Sequence, residues 1–199
     1  MTLYLDGSAP QIVSLAASAS RSVLMRAFIV AGFPLQTSGE TAPRQIIPVI
    51  AQSRKQETAV FPMRWGMTFP PEPGKSAGAF VTHAPFERAR RRNDLHRCVV
   101  PASWVHVISR LEGRQVQYIV QPSDADMTWI AGMYRMEDKL PAFFVLSQIC
   151  TEHAAILQQP IPVMLRKEDI PYWIDPGMDP MVALGRALSD FIVERGSSQ

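Results

Sequence analysis

The sequence predicts a single α+β domain, and three observations lead to this class. Short apolar runs rich in Val, Ile and Phe fill the middle of the chain and are bounded by Pro or Gly, as antiparallel strands are. Segments near both ends instead repeat apolar residues at helical spacing. A length of 199 residues fits one domain with a sizeable core, so we assign residues 1–199 to one unit.

The predicted elements alternate along the chain. Residues 1–5 alternate apolar side chains and form a first strand, and residues 11–33 place apolar residues on one helical face. Further strands are predicted at residues 46–51, 60–67, 98–107 (interrupted by Pro101), 116–120, 129–134 and 142–149. Further helices are predicted at residues 87–97, 166–173 and 179–193.

Composition excludes several classes of protein. Apolar residues make up 47% of the chain and charged residues 19%, which is typical of a globular rather than a disordered protein. No apolar run reaches the ~18 residues that a membrane span needs. The amino terminus also lacks the basic segment and long apolar core of a signal peptide. We therefore expect a cytoplasmic protein with no membrane partner.

The sequence offers no pattern that would hold a metal. Cys98 and Cys150 each lie in a strand-like apolar run, so we expect buried, unreactive thiols. The four His residues are scattered without the spacing of metal ligands. We expect neither a metal nor another cofactor.

Three short motifs, taken in order, resemble a known family. Residues 41–49 read TAPRQIIPV, residues 63–67 read MRWGM and residues 97–102 read RCVVPA. In this order they resemble the core of the SOS-response-associated peptidase (SRAP) family, over about residues 36–175. Members shield abasic sites in single-stranded DNA by crosslinking to them. The resemblance implies a bent, largely antiparallel β core that is barrel-like, with helices around it.

The resemblance also locates the family's catalytic positions, and four of them carry other residues here. Thr2 replaces the Cys that performs the chemistry after Met1 is removed. Thr82 replaces an Asn near the crosslink, Val107 a Glu that shuttles protons, and Gln158 the catalytic His. Val and Gln do not titrate, so they cannot serve as general acid or base. The leading interpretation is a divergent SRAP protein that has lost its peptidase and crosslinking activity.

Two other interpretations stay open. The α-amine of Thr2, with a pKa near ~7.7, could condense with an abasic aldehyde, after which the hydroxyl would close an oxazolidine ring. Thr2 can also be a permissive residue without function. The third interpretation is an interaction protein derived from a phage or mobile element, with no DNA role. His106 adjoins Val107 but points to the other face of the strand by alternation.

Single-stranded or abasic DNA is the expected partner, although the net charge is only +2. By resemblance Pro43 wedges against bases, while Glu40 replaces an Asn and would repel phosphate. Phe69 could stack on a base. The remaining candidate contacts are arginines: Arg64, Arg88, Arg90, Arg91 and Arg92. The cluster at residues 88–92 could grip phosphates or be a solvated helix face. The sequence does not indicate an oligomeric state.

Overall fold

The computed structural model describes residues 1–20, 34–70, 78–138 and 140–196. The strands are β1 (Thr2–Leu5), β2 (Gly39–Thr41), β3 (Ile46–Gln52), β4 (Thr58–Trp65), β5 (Met67–Phe69), β6 (Ala79–Val81), β7 (His83–Ala84), β8 (His96–Ala102), β9 (Trp104–Leu111), β10 (Arg114–Pro122), β11 (Thr128–Glu137), β12 (Leu140–Gln148), β13 (Ile161–Pro162), β14 (Met164–Leu165) and β15 (Phe191–Arg195). The helices are α1 (Pro10–Ser20), α2 (Phe86–Ala89), α3 (Ala154–Leu157), α4 (Ile170–Ile174) and α5 (Pro180–Leu184), with a 3₁₀ turn at Lys167–Asp169.

The core of the protein is a closed barrel. Strands β12, β4, β3, β8 and β11 pair in that order, and β11 pairs again with β12 to complete the circle. The pairs are antiparallel except β12 with β4, which run parallel. The predicted α+β class and barrel-like β core are therefore confirmed. Because the barrel interior is filled by side chains, the functional surface must lie outside it.

A second, five-stranded sheet carries the amino terminus. Its strand order is β15, β10, β9, β1 and β2. The chain passes from the barrel into this sheet at Ser103, between β8 and β9, whereas the sequence placed the interruption at Pro101. Ser103 donates its backbone N–H to the carbonyl of Tyr4 over 2.8 Å, and its hydroxyl accepts from the N–H of Asp6 over 2.9 Å. This corner fixes β1 against β9.

The motif at residues 63–67 packs into the barrel wall. Trp65 is fully buried, stacks on Phe143 with ring centroids 6.4 Å apart, and donates its indole N–H to the carbonyl of Thr82. Gly66 has φ +94°, a left-handed conformation that separates β4 from β5, where the sequence predicted one continuous strand. Cys98 and Cys150 are buried free thiols, as predicted, and burial raises the pKa of Cys98.

Two predicted helices are wrong or too long. Helix α2 spans four residues, and a turn follows in which Arg92 bonds the carboxylate of Asp94 two residues later. Such local side-chain bonds favour turns over helix. The predicted helix at 179–193 ends at Leu184, because the chain then turns and β15 pairs with β10 instead.

Helix α1 confirms the first part of the helix predicted at 11–33, and the rest of that range lies outside the described residues. The helices of the described ranges are all too short, or too polar, to cross a membrane.

Candidate functional site at the amino terminus

Strand β1 places Thr2 on the outer face of the five-stranded sheet. Leu3 and Leu5 are fully buried, so the residues that alternate with them, Thr2 and Tyr4, point away from the core. Across the sheet Thr2 lies opposite His106 of β9. The same outer face therefore collects side chains from β1, β2 and β9.

These side chains form a connected chain of contacts. The hydroxyl of Thr2 donates to Oε1 of Glu40 over 2.5 Å, and Nδ1 of His106 lies 3.4 Å from the same oxygen. The indole N–H of Trp104 donates to Nε2 of His106 over 3.0 Å. Tyr4 stacks flat on Trp104, with ring centroids 4.1 Å apart and an interplanar angle of 7°. We call Thr2, Glu40, His106 and Trp104 the amino-terminal cluster.

The carboxylate of Glu40 and the amino group of Met1 affect each other's pKa. The pKa of Glu40 is lowered, chiefly by the hydrogen bond from Thr2 and further by His106 and the amino terminus, against a smaller opposing effect of burial. Burial lowers the pKa of the amino group of Met1, and the nearby Glu40 partly offsets that effect. An anionic carboxylate therefore lies beside an amine that gives up its proton more readily than usual.

His83 is close enough to the amino group of Met1 to be affected by its charge. Burial and the positive charge of the amino terminus lower the pKa of His83, although its surface is largely exposed. Nδ1 of His83 lies 3.1 Å from the hydroxyl of Thr82. The carbonyl of Thr82 accepts from Trp65 over 3.0 Å and from the backbone N–H of Val145 over 3.1 Å. The barrel thus holds this segment in place next to the amino terminus.

Val107 and Gln158, the other two predicted catalytic positions, do not join the cluster. Val107 is buried on the inner face of β9, which confirms that His106 points the other way. His106 is thus the β9 side chain that faces Thr2. Gln158 is exposed with φ +42°, and no hydrogen bond or ion pair within the described ranges links it to Thr2. Its neighbour Leu157 accepts a hydrogen bond from the hydroxyl of Ser109.

Two of the predicted DNA contacts, Arg64 and Phe69, make contacts within the protein. Arg64 pairs with Glu137 over 2.9 Å and keeps 25% of its side chain exposed. Phe69 is only 9% exposed and lies beneath the guanidinium groups of Arg92 and Arg135, at 4.5 and 5.3 Å from the ring centroid. Little of the Phe69 ring is therefore open to solvent.

The arginines of the cluster at residues 88–92 differ in exposure and in their contacts. Arg92 bonds Asp94 through two nitrogens, and Arg135 bonds the same carboxylate over 2.7 Å. The hydrogen bond from Arg92, supported by Arg135, lowers the pKa of Asp94 to about 2. Arg88, Arg90 and Arg91 are exposed. Arg92 is partly buried, with 32% of its side chain exposed.

Arg44 and Phe80, which the sequence did not indicate as a pair, contact each other near the amino terminus. Pro43 and Arg44 form the centre of a turn after β2, closed by the N–H of Gln45 bonding the carbonyl of Ala42 over 3.3 Å. Arg44 has φ +78°, and its guanidinium carbon lies 5.0 Å above the ring of Phe80, which is 41% exposed.

The end of β2 fixes where this turn lies. Thr41 pairs with Leu3, so the residues that follow continue toward the amino terminus. Pro before a left-handed residue is a recognised turn signal, but Gly or Asn is expected at the second position rather than Arg. The sequence therefore carries no signal for the conformation of Arg44. In the described part of the chain, no three His, Cys, Asp or Glu residues cluster as metal ligands would.

The protein is a closed β-barrel with a second sheet that carries the amino terminus, and comparison of its sequence identifies the family. The chain matches the SOS response associated peptidase (SRAP) family over residues 15–192 and belongs to that family. No curated protein matches the sequence.

Three solved structures share the fold. A phage-related protein from Bordetella bronchiseptica is 18% identical, with 81% of this chain and 82% of that chain covered and a TM-score of 0.61. A protein from Bacteroides thetaiotaomicron is 14% identical, with coverage of 98% and 90% and a TM-score of 0.70. A second Bordetella bronchiseptica protein is 14% identical, with coverage of 99% and 99% and a TM-score of 0.64.

Proposed function

We propose that this SRAP-family protein binds single-stranded DNA beside its amino terminus and captures abasic-site aldehydes reversibly through the α-amine of Thr2. The observation that carries the proposal is the hydrogen bond from Thr2 to Glu40, with His106 against the same carboxylate oxygen. Titratable groups thus surround Thr2 from β2 and β9, although the family's own positions hold Val107 and Gln158. Their presence favours a working acid–base site.

The reaction needs no cofactor. After removal of Met1, the lone pair of the neutral Thr2 nitrogen attacks the aldehyde carbon, and one proton passes from that nitrogen through Glu40 to the carbonyl oxygen to give a carbinolamine. Glu40 then accepts a second proton from the nitrogen and gives it to the departing hydroxyl, so that water leaves and an imine remains. The Thr2 hydroxyl can then add across the imine, its proton passing to nitrogen. The resulting oxazolidine reverts more readily than the thiazolidine that a Cys forms.

The neighbouring surface suits a DNA strand. Arg44 is exposed and makes no ion pair with any described residue, so its charge is available to a phosphate. Phe80 is 41% exposed beneath Arg44, and stacking of a base on an aromatic ring is worth about 1–3 kcal/mol.

A non-covalent DNA-binding protein is the second candidate. It follows from the interpretation that the four replaced catalytic positions abolish the reaction. The Arg44–Phe80 pair favours it, because this surface can bind a strand without any chemistry at Thr2.

Borohydride trapping separates these candidates. Protein that begins at Thr2 is incubated with single-stranded DNA containing one abasic site, and borohydride is added to reduce any imine. We expect a stable adduct that peptide mapping by mass spectrometry assigns to Thr2. The control is the same protein with its terminal amine dimethylated, which cannot form an imine. An adduct of equal yield in the control, or one mapped to a lysine, contradicts the proposal.

Absence of an adduct leaves two outcomes that a binding titration decides. Binding to single strands at about 0.05 M salt that weakens steeply by about 0.2 M indicates the non-covalent protein. Absence of binding at both salt concentrations indicates the interaction protein without a DNA role.

A further inference from the structure

Trp104 makes an unusual contact for a partly buried tryptophan. Its indole N–H, which can only donate, points at Nε2 of His106 over 3.0 Å. Tyr4 covers the indole with a parallel ring at 4.1 Å, and Tyr4 and Trp104 are direct partners in the pairing of β1 with β9. The indole is therefore held in one orientation by the sheet.

The hydrogen bond from Trp104 to Nε2 determines which nitrogen of His106 carries the hydrogen. Nε2 must accept, so the neutral imidazole carries its hydrogen on Nδ1. Nδ1 faces Oε1 of Glu40 at 3.4 Å.

The tautomer defines the role of Glu40. Its Oε1 receives the hydroxyl of Thr2 and faces the Nδ1–H of His106, while Oε2 accepts no hydrogen bond from any described residue. Two donors on one oxygen stabilise the carboxylate, and the other oxygen is left to take a proton from an incoming amine or return it. The opposite tautomer would present a lone pair to Glu40 and repel it.

Few other charges bear on this arrangement. The amino terminus acts on both Glu40 and His83. On the other side of β9, the residue paired with His106 is Ile119 of β10, which carries no charge. The orientation of His106 thus depends on Trp104 and Glu40.

We propose that Trp104 is a positioning residue that locks His106 in its Nδ1–H tautomer and so keeps Glu40 as the proton acceptor for the amine of Thr2. The role of Glu40 in this statement rests on the proposed function, whereas the tautomer of His106 does not. The two parts can be tested separately.

The tautomer is read directly by NMR. Long-range ¹H–¹⁵N spectra of the full chain labelled at His distinguish the two neutral forms, and His106→Asn assigns the signal. We expect Nδ1–H in the unmodified protein near pH 7.5 and a mixture with Nε2–H in Trp104→Phe. Trp129→Phe is the matched control, because its indole makes no contact with His106, and should leave the signal unchanged. An Nε2–H signal in the unmodified protein overturns the proposal, whether or not the protein captures aldehydes.

Kinetics test the consequence. Capture of abasic DNA by Trp104→Phe should slow by roughly tenfold, with the acid limb of the pH–rate profile displaced toward higher pH, while DNA affinity is unchanged. His106→Asn can place an amide N–H where Nδ1 was and should retain most of the rate, whereas His106→Gln should not. Equal rates for Trp104→Phe and Trp129→Phe overturn the proposal. If the unmodified protein captures nothing, the proposed function fails, and the NMR result still decides the role of Trp104.

Discussion

The ring of Phe80 packs directly against Gly66. A Cβ built on Gly66 would overlap the Cζ, Cε1 and Cε2 atoms of that ring, and the φ of Gly66 is +94°. The glycine of the MRWGM motif is thus needed twice, once for its backbone conformation and once for the space it leaves. The exposed ring beside the amino terminus depends on it.

We expect Gly66→Ala to destabilise the fold by about 3 kcal/mol, because it adds both backbone strain and a clash. Gly113→Ala is the matched control: Gly113 also has a left-handed φ, +78°, but a Cβ added there would meet no atom within 4 Å, so only about 1 kcal/mol should be lost. Urea unfolding measures both. Adding Phe80→Ala to Gly66→Ala should recover part of the loss, and equal losses at the two glycines would contradict the clash.

Arg44→Gly should affect stability and DNA binding in opposite ways. The left-handed φ of +78° costs an arginine conformational energy that glycine avoids, so stability should rise or stay within about 1 kcal/mol. Affinity for single-stranded DNA should fall, with the slope of log K against log salt reduced by about 1. Arg54→Ala, in the hairpin at the opposite end of β3, is the control. Binding unchanged by Arg44→Gly would exclude this surface.

Glu137→Gln should destabilise the protein by about 2 kcal/mol. Glu137 accepts from Arg64, from Arg135 and from the backbone N–H of Thr68, over 2.9 to 3.0 Å, and only 12% of its side chain is exposed. Asp138→Asn, at the exposed neighbour, should change little in the same thermal or urea unfolding measurement. Unchanged stability in Glu137→Gln would contradict a structural role for these three hydrogen bonds.

Asp94 should make stability depend on pH in the acid range. Its pKa lies at about 2 in the folded protein, against an ordinary value of 3.8, so its contribution is complete above pH 3.8 and is lost as the pH falls toward 2. The gap in stability between the unmodified protein and Asp94→Asn should therefore narrow over that interval. Because the carboxylate is partly exposed, salt should narrow it as well. A gap constant from neutral pH to pH 2 would exclude the ion pair as its cause.

The sequence predicted the barrel well because its strands carry strong local signals. Alternating or continuous apolar runs between Pro and Gly mark β3, β8, β11 and β12, and these strands lie within a few residues of their predicted ranges. The sequence does not reveal strand β15, since the apolar residues at 191–193 continue the helical spacing of the preceding segment. Only pairing with β10 decides between helix and strand there.

The site was less accessible to prediction. Alternation along β9 correctly placed His106 and Val107 on opposite faces, but it could not tell which face Thr2 shares. That depends on the register of β1 against β9, which is a contact between distant parts of the chain. Glu40 was interpreted as a repulsive replacement for Asn, whereas the structure places it in hydrogen-bonding contact with Thr2. The contact between Arg44 and Phe80 also joins distant parts of the chain, so the sequence does not reveal it.

The position of β1 between β2 and β9 has a consequence during biosynthesis. Thr2 is translated long before its partner His106, so β1 can pair with β9 only once about half of the chain has been made. Until then the amino-terminal peptide bond is unpaired on the side that β9 later occupies. Met1 stays partly exposed after that pairing, so we expect its removal to be fastest on the growing chain and slower, but not abolished, in the folded protein.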